Sequence, residues 1–231
     1  MNDRAAIEAE AVKARYERRA GDARHDIFAP DVILRGQARE RALISLFQHV
    51  GALPLDARSV LELGCGEGII LLGLIRLGFD PAKLTGLDLR EEAVDAARRI
   101  LPASVKLMAG DASAAPIDGA FDIVTQSTMF SSILDPAVQE TVARRMWALT
   151  KSGGAVLWYD LAYDNPRNPD VRGLALPRIR ALFPEGDMIA RRVTLAPPLA
   201  RLVAPIHPSL YAIFDAIPLL RSHLLCWIRK P

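Results

Sequence analysis

The stretch Val60-Leu61-Glu62-Leu63-Gly64-Cys65-Gly66-Glu67-Gly68 constrains this chain more than any other. A short apolar run carrying one acid ends in three glycines at alternate positions. The apolar segment Ile69–Ile75 follows and reads as a buried helix. Strand, glycine turn and helix in that order form the context in which a Gly-rich turn approaches a ligand. Glycine tolerates positive φ and carries no side chain to hold a ligand off the backbone. The helix that follows offers unpaired N–H groups at its start. The spacing is E-x-G-x-G-x-G rather than the G-x-G-x-x-G of dinucleotide sites.

Composition sets the frame around that motif. A chain of 231 residues suits one α/β domain with elaborations, taking about 150 residues per domain as a guide. Hydrophobic residues make up 51%, enough for a large core, and a net charge of +2 gives no reason to expect nucleic acid as partner. The two cysteines, Cys65 and Cys226, have no Cys or His at ligand spacing, so neither a disulfide framework nor a metal site is expected. Residues 1–20 are charged throughout, unlike a signal peptide. The apolar region from Leu199 to Leu220 is interrupted by Arg201, Pro205, His207, Pro208, Asp215 and Pro218, too often to span a bilayer. The chain reads as a soluble cytoplasmic protein.

Helical composition over Asp3–Arg19 is followed by breaks at Gly21 and Pro30, and a second helix is expected from Gln37 to Val50. Beyond the glycine turn, Lys83–Asp88 reads as a strand ending in an acid and Glu91–Leu101 as a helix. Val105–Ala109 is a third strand, running into Gly110-Asp111-Ala112. Phe121–Gln126 is a fourth strand, Asp135-Pro136 caps a helix to about Leu149, and Lys151-Ser152-Gly153-Gly154 turns into a fifth strand, Ala155–Asp160. Asp187–Leu195 and His223–Arg229 read as two more strands. The connecting stretches 162–185 and 196–220 are long for loops in a compact domain, which points to function.

The glycine motif, Asp88 and Gly110-Asp111-Ala112, in this order, resemble the cofactor segments of class I S-adenosylmethionine-dependent methyltransferases; the resemblance covers roughly Val60 to Asp160. It implies a doubly wound α/β fold, a mostly parallel seven-stranded sheet closed by an antiparallel hairpin. The division is a helical N-terminal extension (1–55), a cofactor-binding core (56–161) and acceptor-side insertions with the terminal strands (162–231). It also implies S-adenosylmethionine as cofactor and S-adenosylhomocysteine as product. Glu62 is expected near the cofactor's amino acid, with Gly64, Cys65, Gly66 and Gly68 forming the turn. Asp88, with Leu89 beside it, can offer two carboxylate oxygens to ribose hydroxyls, although an Asp at that place also suits a helix N-cap. Gly110, Asp111 and Ala112 place an acceptor and a donor side by side, as an adenine edge requires. Gln126 and Ser127 sit at a strand's C-terminal end, where open α/β sheets bind ligands. Tyr16 and Arg35 are expected from the N-terminal extension, which commonly closes over the cofactor in this family.

Acceptor chemistry is less specified. Methyl transfer from a sulfonium needs alignment and water exclusion first, and a general base only where the acceptor keeps its proton. Asp160, Tyr163 and His25 are candidate catalytic residues, followed by Tyr16 and His207; Asp160 could equally cap or pair with an arginine, and His207 could be a turn residue. Asn165, Arg167 and Arg172, with Asn168 and Asp170, form a polar cluster able to bind hydroxyls or phosphate, or a capped turn leading into a helix after Asp170. The segments Asn165–Gly173 and Arg221–Leu225 resemble bacterial methyltransferases of surface-polysaccharide and other secondary biosynthesis, which implies a small-molecule or glycan acceptor. The alternatives are a nicotinamide-dependent oxidoreductase, or a non-catalytic module whose apolar 196–220 segment serves a homodimer or a membrane surface.

Overall fold

A computed structural model describes residues 3–19, 26, 28–165 and 168–231. Seven strands form one sheet in the order β3-β2-β1-β4-β5-β7-β6. They are β1 (Val60–Leu63), β2 (Leu84–Asp88), β3 (Lys106–Ala109), β4 (Phe121–Ser127), β5 (Thr150–Leu161), β6 (Asp187–Leu195) and β7 (Arg221–Arg229). The first five run parallel, and β7 lies antiparallel between β5 and β6. This is the sheet that the resemblance implied.

Both faces are covered, as a parallel sheet requires. On one face α5 (Pro136–Leu149) and α6 (Leu176–Leu182) bury Leu61, Leu63, Val156 and Trp158 with Phe130 and Phe183. On the other, α2 (Pro30–His49), α3 (Ile69–Arg76) and α4 (Glu91–Ile100) cover Val60, Leu157, Tyr159 and Leu225. Successive residues of β5 therefore feed opposite cores, the alternation that a strand imposes. Helix α5 shows why the local sequence folds as it does. Asp135 accepts from the N–H groups of Ala137 (2.7 Å) and Val138 (3.3 Å), and Pro136 occupies the first turn. Val138, Val142, Met146 and Leu149 then recur on the buried side.

Four expectations need correction. Helix α2 begins at Pro30, seven residues before Gln37, because proline lacks only an N–H that a first-turn residue leaves unpaired. Gly153-Gly154 lies inside β5, where Gly153 N–H donates to the Lys230 carbonyl and Lys230 N–H to that of Gly154. The helix expected after Asp170 starts only at Leu176. Residues 196–220 are not loop: they form α7 (Pro197–Val203), α8 (Pro208–Asp215) and a 3-10 turn at Pro218–Leu220, with prolines again at helix starts. Helix α3 is only half covered, since Ile69 is 54% exposed while Leu71 and Leu74 are buried.

The ends of β1, β2 and β4 meet at one edge, and α1 (Asp3–Arg19) lies across it. Arg15 on α1 donates to Glu8 (2.8 Å) and to the Ser132 carbonyl (2.9 Å); Glu8 in turn accepts from Leu134 N–H (2.7 Å). A mostly buried ion pair thus ties the helix to the loop after β4.

Two glycines of the turn differ in what a side chain would meet. A Cβ on Gly68 (φ +83°) would lie 2.7 Å from Leu101 Cδ1 and 3.0 Å from Ala97 Cβ, whereas one on Gly66 (φ +51°) would enter open space. In urea denaturation Gly68→Ala should therefore cost clearly more than Gly66→Ala, for which a left-handed penalty of about 1 kcal/mol is expected. Equal losses would mean that the α3–α4 contact does not set the requirement for glycine.

Candidate cofactor site

The turn after β1 is suspended from the end of β2. Gly64 and Cys65 N–H both donate to the Leu87 carbonyl, at 2.7 and 3.0 Å. Asp88 accepts from Gly66 N–H at 2.7 Å and from Arg90 N–H at 3.0 Å. Arg90, not Asp88, stands at the N-cap of α4, so the capping reading of Asp88 does not hold.

A cleft lies between α1 and this edge. It is lined by Tyr16, Gly64, Asp88, Leu89, Gly110, Asp111 and Ala112 together with Ala5, Ala9, Val12, Arg90, Met129 and Ile133. Seven of the residues expected from the sequence are thus brought together around one space. Tyr16 packs under Arg90, whose guanidinium carbon is 4.4 Å from the ring centroid. The Asp111 Oδ1 accepts from Ser113 N–H (2.8 Å), fixing the turn after β3. With α1 in place the cleft holds about 70 Å³, against roughly 300 Å³ or more for an ordinary small-molecule site. A larger cavity of about 350 Å³ lies at the opposite edge of the sheet, lined by Arg58, Asp122, Gly153, Asp187 and Arg229. Asp122 there is already engaged by Ser59 and Lys151, and the ends of parallel strands that bind ligands are the other ones.

Glu62 is the anomaly. It is fully buried, opposite Gly86 and Thr125, and neither carboxylate oxygen has a hydrogen-bond partner among the described residues. Burial pushes it up to about 8, with Arg39 acting against that and Asp88 adding to it. Arg39 was not singled out in the sequence, where it is one of several charged residues on α2. Half-buried, it stands 5.5 Å from the Tyr159 ring centroid and makes no hydrogen bond among the described residues. A carboxylate without a hydrogen-bond partner thus lies within the electrostatic reach of a guanidinium whose N–H groups bond to no described residue.

The other expected residues fall elsewhere. Arg35 does not line the cleft; it is bound to Asp31 one turn earlier on α2, at 3.1 Å. Gln126 is buried and accepts from Met129 N–H at 3.0 Å, holding the loop that contributes Met129 to the cleft; Ser127 is half-buried beside it. Cys65 is buried and its thiol is held well above the ordinary range by desolvation, as a small packing residue and not a nucleophile. Asp160 is fully buried, neither a helix cap nor an arginine's partner: it accepts from the N–H groups of Ser131 (3.1 Å) and Leu161 (2.8 Å). Burial raises it to about 6. Tyr163 is 47% exposed with Arg192 over its ring, and His207 caps α8 by accepting from Ser209 N–H. In the polar cluster, Asn168 accepts from Asp170 N–H, Asp170 pairs with Arg18, and Arg172 N–H donates to the Ser131 carbonyl. The Asn165 carbonyl accepts from Asn168 N–H, which makes this segment a turn tied to α1 and to the β4 loop. His25 and Arg167 lie outside the described residues.

Two features of this edge were not visible in the sequence. His223 at the start of β7 stacks on Tyr159, with centroids 4.9 Å apart and planes 11° apart. Burial, with the charges of Arg35 and Arg39, lowers it to about 3, so its imidazole is neutral at pH 7. The Tyr159 hydroxyl pairs with that of Thr194 at 3.0 Å, and Thr128 N–H donates to the Tyr159 carbonyl. Both threonines have positive φ, 56° at Thr128 and 64° at Thr194, costly for a β-branched residue and typical of functional edges.

Comparison with known proteins agrees with this geometry. Residues 60–154 match a family described as methyltransferase domain. The ubiquinone biosynthesis O-methyltransferase of Thiobacillus denitrificans is 35% identical over 113 residues, covering 47% of this chain and 46% of that protein. That of Sodalis glossinidius is 34% identical over 138 residues, covering 52% and 51%. The chain thus spans about half the length of the curated relatives it matches. Among solved structures, a plantazolicin methyltransferase in complex with a triazolic desmethylPZN analogue and SAH aligns over 100% of both chains, with a TM-score of 0.64 at 13% identity. A Synechocystis magnesium protoporphyrin IX methyltransferase with bound SAH aligns over 94% of both, with a TM-score of 0.62 at 14% identity.

The orphaned acid has a consequence for stability. A raised Glu62 favours the folded state below its ordinary value of 4.5, and that contribution is lost as pH rises to about 8. Asp160 has the same sign but is spent by about pH 6, while the depressed His223 acts between 6.5 and about 3. Between pH 6.5 and 8 the ligand-free protein should therefore lose on the order of 2 kcal/mol, and Glu62→Gln should remove most of that slope. Parallel slopes in urea denaturation would show that Glu62 is not held protonated.

Proposed function

We propose that this chain is a class I methyltransferase, a reading supported by the domain match over residues 60–154 and by the fold, and that it binds S-adenosylmethionine in the cleft under α1 and transfers its methyl group to the hydroxyl of a small aromatic acceptor. The observation that carries the cofactor reading is the buried Glu62, which has no hydrogen-bond partner among the described residues and feels the charge of Arg39. The residues present fit the cofactor. Glu62 would receive its ammonium and Arg39 its carboxylate, a charge-assisted pair in a site closed to water. Asp88 would accept from ribose hydroxyls, and Asp111 and Ala112 would meet the adenine edge, with Ile133 and Met129 as apolar walls.

Bound S-adenosylmethionine supplies an electrophilic methyl on sulfur. The chain's own contribution is alignment and exclusion of water. Helix α1, tied down by Glu8 and Arg15, would close the adenine side. Tyr159, held by Thr128 and Thr194, would give the edge at the ends of β4 and β5 a fixed ring beside the amino acid end.

The acceptor class follows from the acids and bases that the described residues place at this edge. Asp160 spends both oxygens on backbone N–H groups, and His223 near 3 is a weak base. Such a site suits an acceptor whose hydroxyl ionises readily, a phenol or catechol rather than a sugar. The relatives, named as O-methyltransferases of ubiquinone biosynthesis, support a hydroxyl acceptor.

Calorimetric titration with S-adenosylhomocysteine tests the cofactor reading. Asp88→Asn and Arg39→Ala should each weaken binding by about tenfold or more, the loss of one charge-assisted contact. Affinity unchanged in both variants would remove these assignments.

A further inference from the structure

Helices α7 and α8 and the 3-10 turn at Pro218–Leu220 connect the end of β6 to the start of β7. Strand β6 runs antiparallel to β7 and β7 antiparallel to β5, so this connection stands at the same edge as the C-terminal ends of β4 and β5. Its inner side is anchored: Ala200, Val203, Ala204 and Tyr211 pack with Ala38 of α2 and Leu195. Its outer side is bare. Leu202 is 66% exposed, Ile206 69%, Ile213 60%, Ile217 44% and Leu219 82%. Five large aliphatics on one 25-residue connection exceed the scatter of single exposed residues usual on soluble surfaces.

We propose that this outer face is a lipid-docking surface that seats the acceptor edge of the enzyme on an anionic bilayer. Two observations select a bilayer over another protein. Within residues 196–220 the one acid, Asp215, is half-buried and faces Arg221 at 3.6 Å, whereas Arg201 is exposed on the patch. Aliphatics flanked by an unpaired cation, without exposed carboxylates, are the complement of an anionic lipid surface. Finally, the face adjoins the edge proposed for the acceptor, so docking would let an apolar acceptor dissolved in the bilayer enter without crossing water. This last step rests on the proposed function; the lipid binding itself does not.

The test is flotation of the 231-residue chain with vesicles of phosphatidylcholine and of phosphatidylcholine with about 30% phosphatidylglycerol, each at low and high salt. Wild type should float with the anionic vesicles and less at high salt. The double variant Leu202→Asp/Ile213→Asp should lose about tenfold or more in partitioning, and Arg201→Glu a smaller part. Binding of S-adenosylhomocysteine, measured in parallel, should be unchanged in all of them, which shows that the variants are folded and separates this question from that of the cofactor. Wild type left in the soluble fraction in all four conditions overturns the proposal. So does light scattering that finds a dimer which the double variant converts to monomer, since the face would then be a self-association surface.

Discussion

The Leu87 carbonyl and the Asp88 carboxylate, at the end of β2, hold three successive N–H groups of the turn after β1. This suspension ties the end of β2 to the turn after β1. It fixes where β1 stops, turns the chain back as α3, and places Gly66 where a Cβ would meet nothing. With Arg90 N–H, the same contacts engage both oxygens of Asp88 with the backbone, while Glu62, two residues before the turn, has no donor among the described residues. A protein selected for stability alone would fill that position with an apolar residue, because a buried acid without partners is costly. Its presence is what a ligand with a positive group would explain.

The acceptor side is built on another principle. Tyr159 is gripped on several sides, by a parallel imidazole, a guanidinium and the hydroxyl of a strained threonine. None of these groups is a strong base at neutral pH. The arrangement gives shape and a fixed edge rather than proton transfer, which suits a reaction whose electrophile is already activated. Above it the sheet ends under α7 and α8, whose inner faces are packed and whose outer faces are not. The proposed cofactor thus approaches from the side of α1, and the proposed bilayer from the side of β6 and β7.

Much of this was legible in the sequence because it rests on local rules. Strands buried on both faces read as continuous apolar runs, and glycines at alternate positions announced the turn. Asp88 could be placed because it closes a strand, and Asp111 because it follows one within two residues. The start of α2 was misread because Pro30 breaks a helix interior but begins a helix well, and only the packing of Leu34 and Ala38 decides which. Arg39, His223 and Tyr159 were not legible as a group. They come from α2, β7 and β5, and no spacing in the chain records that three such distant residues converge. Asp160 misled in the opposite direction: an acid at the end of a strand suggests chemistry, and this one is spent on holding the loop after β4.

The central claim is that Glu62 is kept for a cationic group and ionises when that group arrives. Titrating S-adenosylhomocysteine into the protein at pH 7, in buffers of different ionisation enthalpy, measures the protons exchanged on binding. With Glu62 near 8 before binding and ionised after it, about 0.9 proton should be released, and the release should vanish in Glu62→Gln. Tight binding with no proton released, or a release that survives the substitution, would contradict the assignment of Glu62 to the cofactor's ammonium.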